Sequence, residues 1–395
     1  MTQISIAHAV NKEEWDSFLL TQPFSPFLQS WTMGEVYKEV GQEPIRLTIR
    51  DDNKLVGICF GHVVNARRGR HISVPYGPVL GSSLQPQVTE VMELLITQLR
   101  LIALSHKCHF LRISPFWTMD EGHVQHEHER WMTHHAIGQY KAHASPMHLL
   151  AEHLWVLNLK DRSTDDILKD MRKTTRNLIR RAEKDGVTIE ASTNPNEDLV
   201  HFLRLHDETR HRHGFTPYTN AFFQAQVKRF AAENACTLYL ARFQGEVIAA
   251  SIHMHMGGVT SYHHGASTQR FSKVPASYLL QWTAITDAMK RGDTLYNFWG
   301  IAPQSGKSQL PTANNQASLD DTKSEDQRAK SETVTKNDQT NNETTKKHPF
   351  AGVTLFKTGF GGSLVELVHC VDIPLHPWYT ITRTVELLRK KRRGF

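Results

Sequence analysis

Cysteine is scarce in this chain, with four residues among 395. Cys59, Cys108, Cys236 and Cys370 lie far apart in apolar, strand-like settings, so they predict buried, reduced thiols and not a disulfide framework. The chain also lacks any run of about 18 apolar residues, the length that a membrane-spanning helix needs. Met1–Ile6 has no basic region leading into an apolar core, so we expect no signal peptide. These absences predict a cytoplasmic protein.

Aromatic residues are missing from 304–347, where Ser, Thr, Asn, Asp, Lys and Gln dominate. Such a composition cannot bury enough apolar surface to offset the entropy lost on ordering. The sequence therefore predicts a disordered insertion that loops out of a continuous domain.

The net charge is modest at +6, but the cations are concentrated in two places. A helix predicted at about 165–184 carries Arg172, Arg176, Arg180 and Lys184 at four-residue spacing, which places them on one stripe. Arg389–Arg393 adds five consecutive cations. The expected partners of these clusters are polyanions such as RNA, nucleotide diphosphates or an acidic membrane surface, and the stripe suits phosphate contacts with RNA. A solvated charged face explains either cluster equally well.

One order of secondary-structure elements occurs twice in the chain. The first copy is a hairpin, a helix and a strand, at 45–60, 86–105 and 110–113. The second copy has strands at 237–241, 247–252 and 261–264, a helix at 276–290 and a strand at 295–298. This order is typical of an N-acyltransferase (GNAT-like) domain. The sequence therefore predicts an α/β (α+β) fold with two tandem GNAT-like domains.

The segment Gln269–Ala276 contains no glycine. It stands where an acetyl-CoA enzyme of this fold carries a glycine-bearing loop for the pyrophosphate. Without glycine, close approach of the backbone to a pyrophosphate is disfavoured, so CoA is not expected as the donor. No nucleophile elbow, Walker motif or Rossmann fingerprint is present, and we expect no cofactor.

Histidine is dense between His123 and His153, including His126, His128 and His134. The spacing matches no zinc-ligand pattern, and no cysteine or clustered carboxylate supports one. A polar surface loop is favoured over a metal site, and no metal is expected.

The stretch Phe356–Gly362 contains three glycines, two aromatic residues and Lys357. Glycine at this density disfavours a helix and a regular strand, and it lets a backbone pass close to a ligand beside one fixed cation. A bulged strand with a solvated lysine is the alternative interpretation.

Several motifs, in their order along the chain, resemble the FemABX family, the aminoacyl-tRNA-dependent transferases that build peptidoglycan cross-bridges. They are Phe27–Trp31 with Gly34 and Lys38, Arg68–Arg70, Tyr76–Val79, Met171–Arg180, Gly214–Tyr218, Tyr296–Ile301, His348–Pro349 and Phe356–Gly362. The chain has neither the length nor the heptads for the helical arm of some relatives, so it resembles the FemX-like form. The resemblance implies a first domain of residues 1–154 and 375–395 and a second of residues 155–374. A C-terminal helix at 375–392 is expected to pack back on the first domain.

The resemblance also implies roles for individual residues. Phe356 and Lys357 are expected near the aminoacyl end of the tRNA, as the catalytic pair. The precursor, UDP-MurNAc-pentapeptide or its lipid-linked form (lipid II), is expected to be held by Lys38, Tyr76, either Arg210 or Arg212, Tyr218 and Tyr262. Leu80–Ser83 lacks the acidic residue that relatives often carry there. A substrate carboxylate is therefore expected as the base, with Asp207 and Glu208 as less favoured candidates.

The implied reaction is attack by a stem-peptide amine on the aminoacyl ester, with aminoacyl-tRNA as co-substrate and Lys357 stabilising negative charge. Peripheral contact with the inner membrane face is compatible with this activity, and no stable protein partner is inferred. Two alternatives stay open at this point. One is an acyl-CoA-dependent N-acyltransferase of the same fold, and the other is a non-catalytic protein that binds RNA or the membrane surface.

Overall fold

The structure is a computed structural model that describes residues 4–66, 69–118, 139–146, 150–213, 218–303 and 350–393. The predicted insertion at 304–347, the histidines 123–135, Arg68 and Gly214–Pro217 lie outside the described residues. Within these ranges, no helix has both the length and the apolar character needed to cross a bilayer.

The first sheet has eight strands. Seven of them are β1 (Ile4–His8), β2 (Pro44–Asp51), β3 (Lys54–Ala66), β4 (Gly69–Pro75), β5 (Val79–Leu80), β6 (Phe110–Ser114) and β7 (His143–Ala144). Three helices accompany these strands: α1 (Lys12–Leu20), α2 (Trp31–Glu39) and α3 (Val88–Ser105). Strands β2, β3 and β4 pair antiparallel, and α3 then carries the chain to β6, which pairs parallel with β4.

The second sheet repeats this arrangement. Its strands are β8 (His153–Asn158), β9 (Thr188–Ala191), β10 (Cys236–Phe243), β11 (Glu246–Met256), β12 (Val259–Ser267), β13 (Leu295–Gly300) and β14 (Ser363–Glu366). Its helices are α4 (Thr164–Asp170), α5 (Lys173–Lys184), α6 (Pro195–His213), α7 (Asn220–Ala232), α8 (Ala276–Arg291) and α9 (Ala351–Thr358). Strand β13 follows α8 and pairs parallel with β12, as β6 does with β4. The predicted pair of tandem GNAT-like domains is confirmed.

Several helices begin where short polar side chains replace missing backbone hydrogen bonds. Ser30 accepts a hydrogen bond from the Met33 amide at the start of α2, and Thr219 accepts one from the Phe222 amide at the start of α7. Ser163 and Asp166 form a capping box at α4. These local signals fix where the helices start, and tertiary packing decides which face each buries.

One hydrophobic core joins the two domains. It includes Trp15 and Phe60 beside the first sheet and Phe223 and Ile252 beside the second. A second core lies under α3, and a third lies between the second sheet and the helices α4, α5 and α8. Because one core is shared, the two domains pack against each other through a continuous apolar interface.

The chain returns to the first sheet at β15 (Val371–Pro374), which pairs with β6 and β7. This strand precedes the boundary predicted at residue 375, so Val371–Pro374 belong with the first sheet and not with residues 155–374. Helix α10 (Trp378–Arg393) then packs on the first sheet, as expected. Arg112 of β6 is 1% exposed and binds Asp372 of β15 through Nε (2.6 Å) and Glu386 of α10 through Nη2 (2.8 Å). A buried cation therefore ties the strand, its neighbour and the last helix together.

Candidate functional site

A cleft of about 690 Å³ opens on the second sheet. Strands β11 and β12 form its floor, and α6, the first turns of α8, and α9 form its walls. Its polar lining residues are His206, Thr209, Arg212, Ser251, Tyr262, His263, His264, Ser267, Ser277 and Gln281. None of the described residues that line this cleft is acidic. Burial lowers the pKa of His263 to about 3 and that of His264 well below its usual value, so both rings are neutral. The cleft therefore offers hydrogen-bond donors and one cationic side chain, Arg212, to a ligand.

Lys357 lies on α9 beside the cleft and is 7% exposed. Its Nζ donates a hydrogen bond to the Gly300 carbonyl (2.7 Å) and lies 5.6 Å from the centre of the Tyr262 ring. Among the described residues no carboxylate forms an ion pair with it. Burial lowers the pKa of Lys357 from 10.5 to about 7. The amine can therefore exist in both protonation states near neutral pH.

The carbonyl that Lys357 meets is placed by a bulge in β13. The pairing register of β13 with β8 is interrupted between Asn297 and Gly300. Trp299 has a φ of 67°, a left-handed conformation that is rare for a large residue, and its amide donates to Asn297 Oδ1 (2.8 Å). Such bulges redirect the groups of a strand. This one turns the Gly300 oxygen towards α9.

Phe356 and Lys357 lie in the last turn of a helix, so the loop predicted for Phe356–Gly362 is wrong at its first residues. The fold itself requires glycine at the end of this stretch. Gly361 and Gly362 have φ angles of 80° and 103°, and a Cβ on Gly362 would clash with the Val156 carbonyl oxygen. The chain passes close to its own β8 here, and Phe356 is left to line the cleft.

The sequence interpretation missed a buried polar chain under the cleft. His253 stacks on Tyr262, with 5.4 Å between ring centres, and its Nε2 lies 2.8 Å from the Tyr296 hydroxyl. That hydroxyl donates to Oε1 of Gln281 (2.7 Å), which is 1% exposed. These stacked and hydrogen-bonded side chains fix the Tyr262 ring against Lys357. Gln281 within the apolar run at 279–285 was the sequence signal that was available.

Three of the predicted precursor-binding residues lie in or beside the cleft. Tyr262 and Arg212 line it, and Arg212 Nη1 donates to the Ser267 carbonyl (3.3 Å). Tyr218 lies at its edge, with its ring 5.8 Å from that of His264, a lining residue. Arg210 instead pairs with Asp207 at 2.6 Å and does not line the cleft, so the geometry favours Arg212 of the two arginines. Asp207 is thereby occupied.

Two further predicted residues lie elsewhere. Tyr76 is 2% exposed, and its hydroxyl donates to the Ala151 carbonyl at 2.7 Å. It lines a small cavity between the domains with Phe27 and Trp299, so the expectation that it shares the cleft of Tyr262 is wrong. Lys38 is exposed on α2 and is also not a lining residue. Both residues lie on parts of the chain that contribute to the core shared by the two domains.

The basic stripe predicted at 165–184 is divided between two helices, because Met171 and Arg172 are extended. Arg172 donates to Thr358 Oγ1 (2.8 Å) and its amide donates to the Gly359 carbonyl (2.9 Å), which fastens the break to α9. Arg176 donates to carbonyls at the end of α4, among them Leu168 O at 3.1 Å. Arg180 and Lys184 are exposed. The stripe therefore contains two residues with structural contacts and two solvent-facing cations.

The backbone of the glycine-free loop is hydrogen-bonded within itself. The amides of Ser272, Val274 and Ala276 donate to carbonyls of residues 269, 271 and 274. A pyrophosphate in a GNAT-like site is bound by free amides at this position. In this loop the three amides named above already donate to carbonyls of the loop itself.

Several solved structures share the architecture of this protein. One described as the crystal structure of FemX has 16% identity and a TM-score of 0.69, with 97% of this chain and 100% of that chain covered. The C-terminal domain of a putative lysylphosphatidylglycerol synthetase from Agrobacterium fabrum has 11% identity and a TM-score of 0.53, with 96% and 95% covered. A tandem GNAT protein from the clavulanic acid biosynthesis pathway has 10% identity and a TM-score of 0.52, with 95% and 99% covered. At these identities the likeness is one of fold, and the fold is that of a tandem GNAT-like protein.

The FemAB family model matches residues 10–246 and 241–309. The chain therefore belongs to the FemAB family, and the resemblance inferred from its motifs is confirmed. No curated protein matches the chain. Family and fold together place it among the transferases.

Proposed function

We propose that this protein transfers an amino acid from aminoacyl-tRNA to the stem-peptide amine of a peptidoglycan precursor, UDP-MurNAc-pentapeptide or lipid II, and so builds an interpeptide bridge. The observation that carries the proposal is Lys357, buried beside a polar cleft in a chain of the FemAB family. A buried amine without an acidic partner among the described residues costs stability. Such a group is characteristic of a functional site.

In the proposed reaction the acceptor amine attacks the ester carbonyl carbon. The new C–N bond forms, the C–O bond to the tRNA ribose breaks, and the ribose oxygen takes up a proton. Lys357 in its ammonium form donates a hydrogen bond to the carbonyl oxygen as that oxygen gains negative charge. Its pKa of about 7 also lets it supply the proton that the leaving oxygen needs.

The acceptor must lose a proton before it attacks. Because none of the described lining residues is acidic, a carboxylate of the precursor is proposed as the base. Arg212 and Tyr262 are proposed to hold the precursor, since a guanidinium binds carboxylates and phosphates and a hydroxyl binds polar groups. Burial raises the pKa of Tyr262 to about 12, so its hydroxyl keeps its proton.

The donor is proposed to be tRNA and not CoA. Three amides of the loop at 269–276 already donate within the loop, which supports the proposal because CoA enzymes of this fold bind pyrophosphate through backbone amides at this position. Arg180 and Lys184 are solvent-facing cations of the stripe on α5 and are proposed to contact tRNA phosphates.

The test is a transfer assay with purified protein, charged tRNA and either precursor, read by mass spectrometry. The expected product is a precursor heavier by one aminoacyl residue, with glycine, alanine and serine as the first donors to try. Ribonuclease should abolish the reaction, and CoA thioesters should not replace charged tRNA. Transfer from an acyl-CoA, with none from any charged tRNA, would refute the proposal and favour the CoA-dependent alternative.

Two lysine variants separate catalysis from binding. Lys357→Met should lower the transfer rate by a factor of roughly 100 to 1,000, as expected for loss of one charge-stabilising donor. Lys290→Met, whose side chain is 75% exposed on α8, is the matched control and should keep full activity. If the protein is instead a non-catalytic RNA-binding protein, the wild type and both variants should bind RNA equally well and show no transfer.

A further inference from the structure

The outer face of α10 is apolar although it faces solvent. Trp378, Ile381 and Leu388 are 56%, 51% and 63% exposed. Spacings of three and seven residues place them on one side of the helix, and partly buried Val385 lies between them. On the neighbouring side of the helix, Tyr379 and Thr382 are buried, and Tyr379 contacts Phe110 of the first sheet. The helix therefore has one face that is used in folding and a second apolar face that is not.

Cations flank this apolar face. Arg389, Lys391 and Arg392 are exposed in the last turns of the same helix. An exposed apolar stripe with a tryptophan and adjacent basic residues is the pattern of a helix that lies in the plane of a membrane interface. The basic residues attract anionic headgroups, and the apolar side chains enter the boundary of the acyl chains.

We propose that the outer face of α10, formed by Trp378, Ile381, Val385, Leu388 and the cations Arg389–Arg392, docks on the surface of an anionic phospholipid bilayer. RNA is disfavoured as the occupant because aliphatic side chains gain nothing from phosphates. A second copy of this chain is disfavoured because two such faces would bring like charges together. This inference stands independently of the proposed transferase activity.

The docking face is preformed by contacts on the other side of the helix. Glu386 binds Arg112 Nη2 at 2.8 Å, and the Tyr379 hydroxyl donates to Asp372 Oδ2 at 3.2 Å. Helix α10 therefore keeps its orientation without a membrane, and binding requires no folding step. The contact is peripheral, in agreement with the absence of a membrane-spanning helix in the described ranges.

The test is co-sedimentation of the full chain with phosphatidylcholine vesicles and with the same vesicles containing phosphatidylglycerol. We expect binding to the anionic vesicles that weakens as salt is added. The double variant Ile381→Ser/Leu388→Ser should lower the affinity at least tenfold. Lys391→Ala/Arg392→Ala should lower it about fivefold for each cation removed.

The matched control is Leu101→Ser/Leu104→Ser on α3, where the two leucines are 58% and 60% exposed. Helix α3 covers the face of the first sheet that Leu111 and Ile113 occupy, whereas α10 contacts the face of Phe110 and Arg112. The control should bind vesicles as the wild type does, and all variants should retain the wild-type melting temperature.

Three results would overturn the inference. The first is no binding to anionic vesicles, and the second is an equal loss of binding in the α3 control. The third is a defect of the α10 variants confined to tRNA binding or to self-association measured by light scattering.

Discussion

Replacing Lys357 by methionine should stabilise the protein while abolishing its activity. Methionine matches the length of the lysine stem and carries no charge. The fall in the pKa of Lys357 from 10.5 to about 7 corresponds to a cost of roughly 5 kcal/mol at a pH below 7. Losing the hydrogen bond to the Gly300 carbonyl removes about 1–2 kcal/mol of this gain. The expected increase in the free energy of unfolding at pH 6.5 is therefore roughly 3 kcal/mol.

The same reasoning fixes the sign of the pH dependence. Between pH 7 and 10.5 the unfolded chain holds a proton on Lys357 that the folded protein has released. The wild type therefore gains stability from this group as the pH rises through that window, and Lys357→Met does not. The stability difference between the two proteins should shrink by roughly 3 kcal/mol from pH 6.5 to pH 9.5.

The measurement is urea unfolding of both proteins at the two pH values, with Lys290→Met as the control that changes stability by less than about 0.5 kcal/mol. Taking the difference between variant and wild type cancels the titration of every other group. If Lys357→Met destabilises the protein at pH 6.5, or if the difference does not change with pH, Lys357 is a structural residue and the reasoning fails.

Four further predictions concern the supporting structure and the basic stripe. Asp372→Ala should lower the free energy of unfolding by roughly 3–5 kcal/mol, because it leaves Arg112 buried without its main partner; near wild-type stability in urea would contradict this. Arg176→Ala should cost about 1–2 kcal/mol through the lost carbonyl contacts at the end of α4. Arg180→Ala/Lys184→Ala should leave the melting temperature unchanged and reduce tRNA affinity and its salt dependence in filter binding. If Arg176→Ala weakens tRNA binding without loss of stability, and Arg180→Ala/Lys184→Ala lowers stability without loss of tRNA binding, the roles given to these residues are wrong. Gly362→Ala should destabilise the protein by more than about 2 kcal/mol in thermal unfolding, whereas Gly352→Ala, with open space at its Cβ within helix α9, should be neutral or stabilising.

The amino-acid sequence by itself determined the repeated order of elements and the family. The hairpin of β2 and β3, helix α3, strands β10 to β13 and helix α8 lie within a few residues of their predicted positions, because hydrophobic periodicity and turn residues are local signals. Lys357, Tyr262 and Arg212 were named as site candidates from the sequence, and the structure places all three in or beside one cleft. The loop at 269–276 contains no glycine, and three of its amides donate to carbonyls of the same loop, but the exclusion of CoA as donor stays a prediction.

Only the tertiary structure decided which residues share a site. Tyr76 and Tyr262 were both predicted from sequence to hold the precursor. The Tyr76 hydroxyl, however, donates a hydrogen bond to the Ala151 carbonyl at the domain interface, whereas the Tyr262 ring lies beside the Lys357 amine. The glycines after Phe356 were predicted to suit a ligand, and the structure shows that Gly362 is needed for the chain to pass close to β8. Arg172 and Arg176 stand at the regular spacing of the basic stripe. Their side chains nevertheless donate hydrogen bonds to Thr358 and to backbone carbonyls, and the spacing of residues along a helix cannot predict such contacts. Periodicity reports which face of an element is apolar, whereas contacts between elements far apart in sequence decide which polar group is occupied and which is left for function.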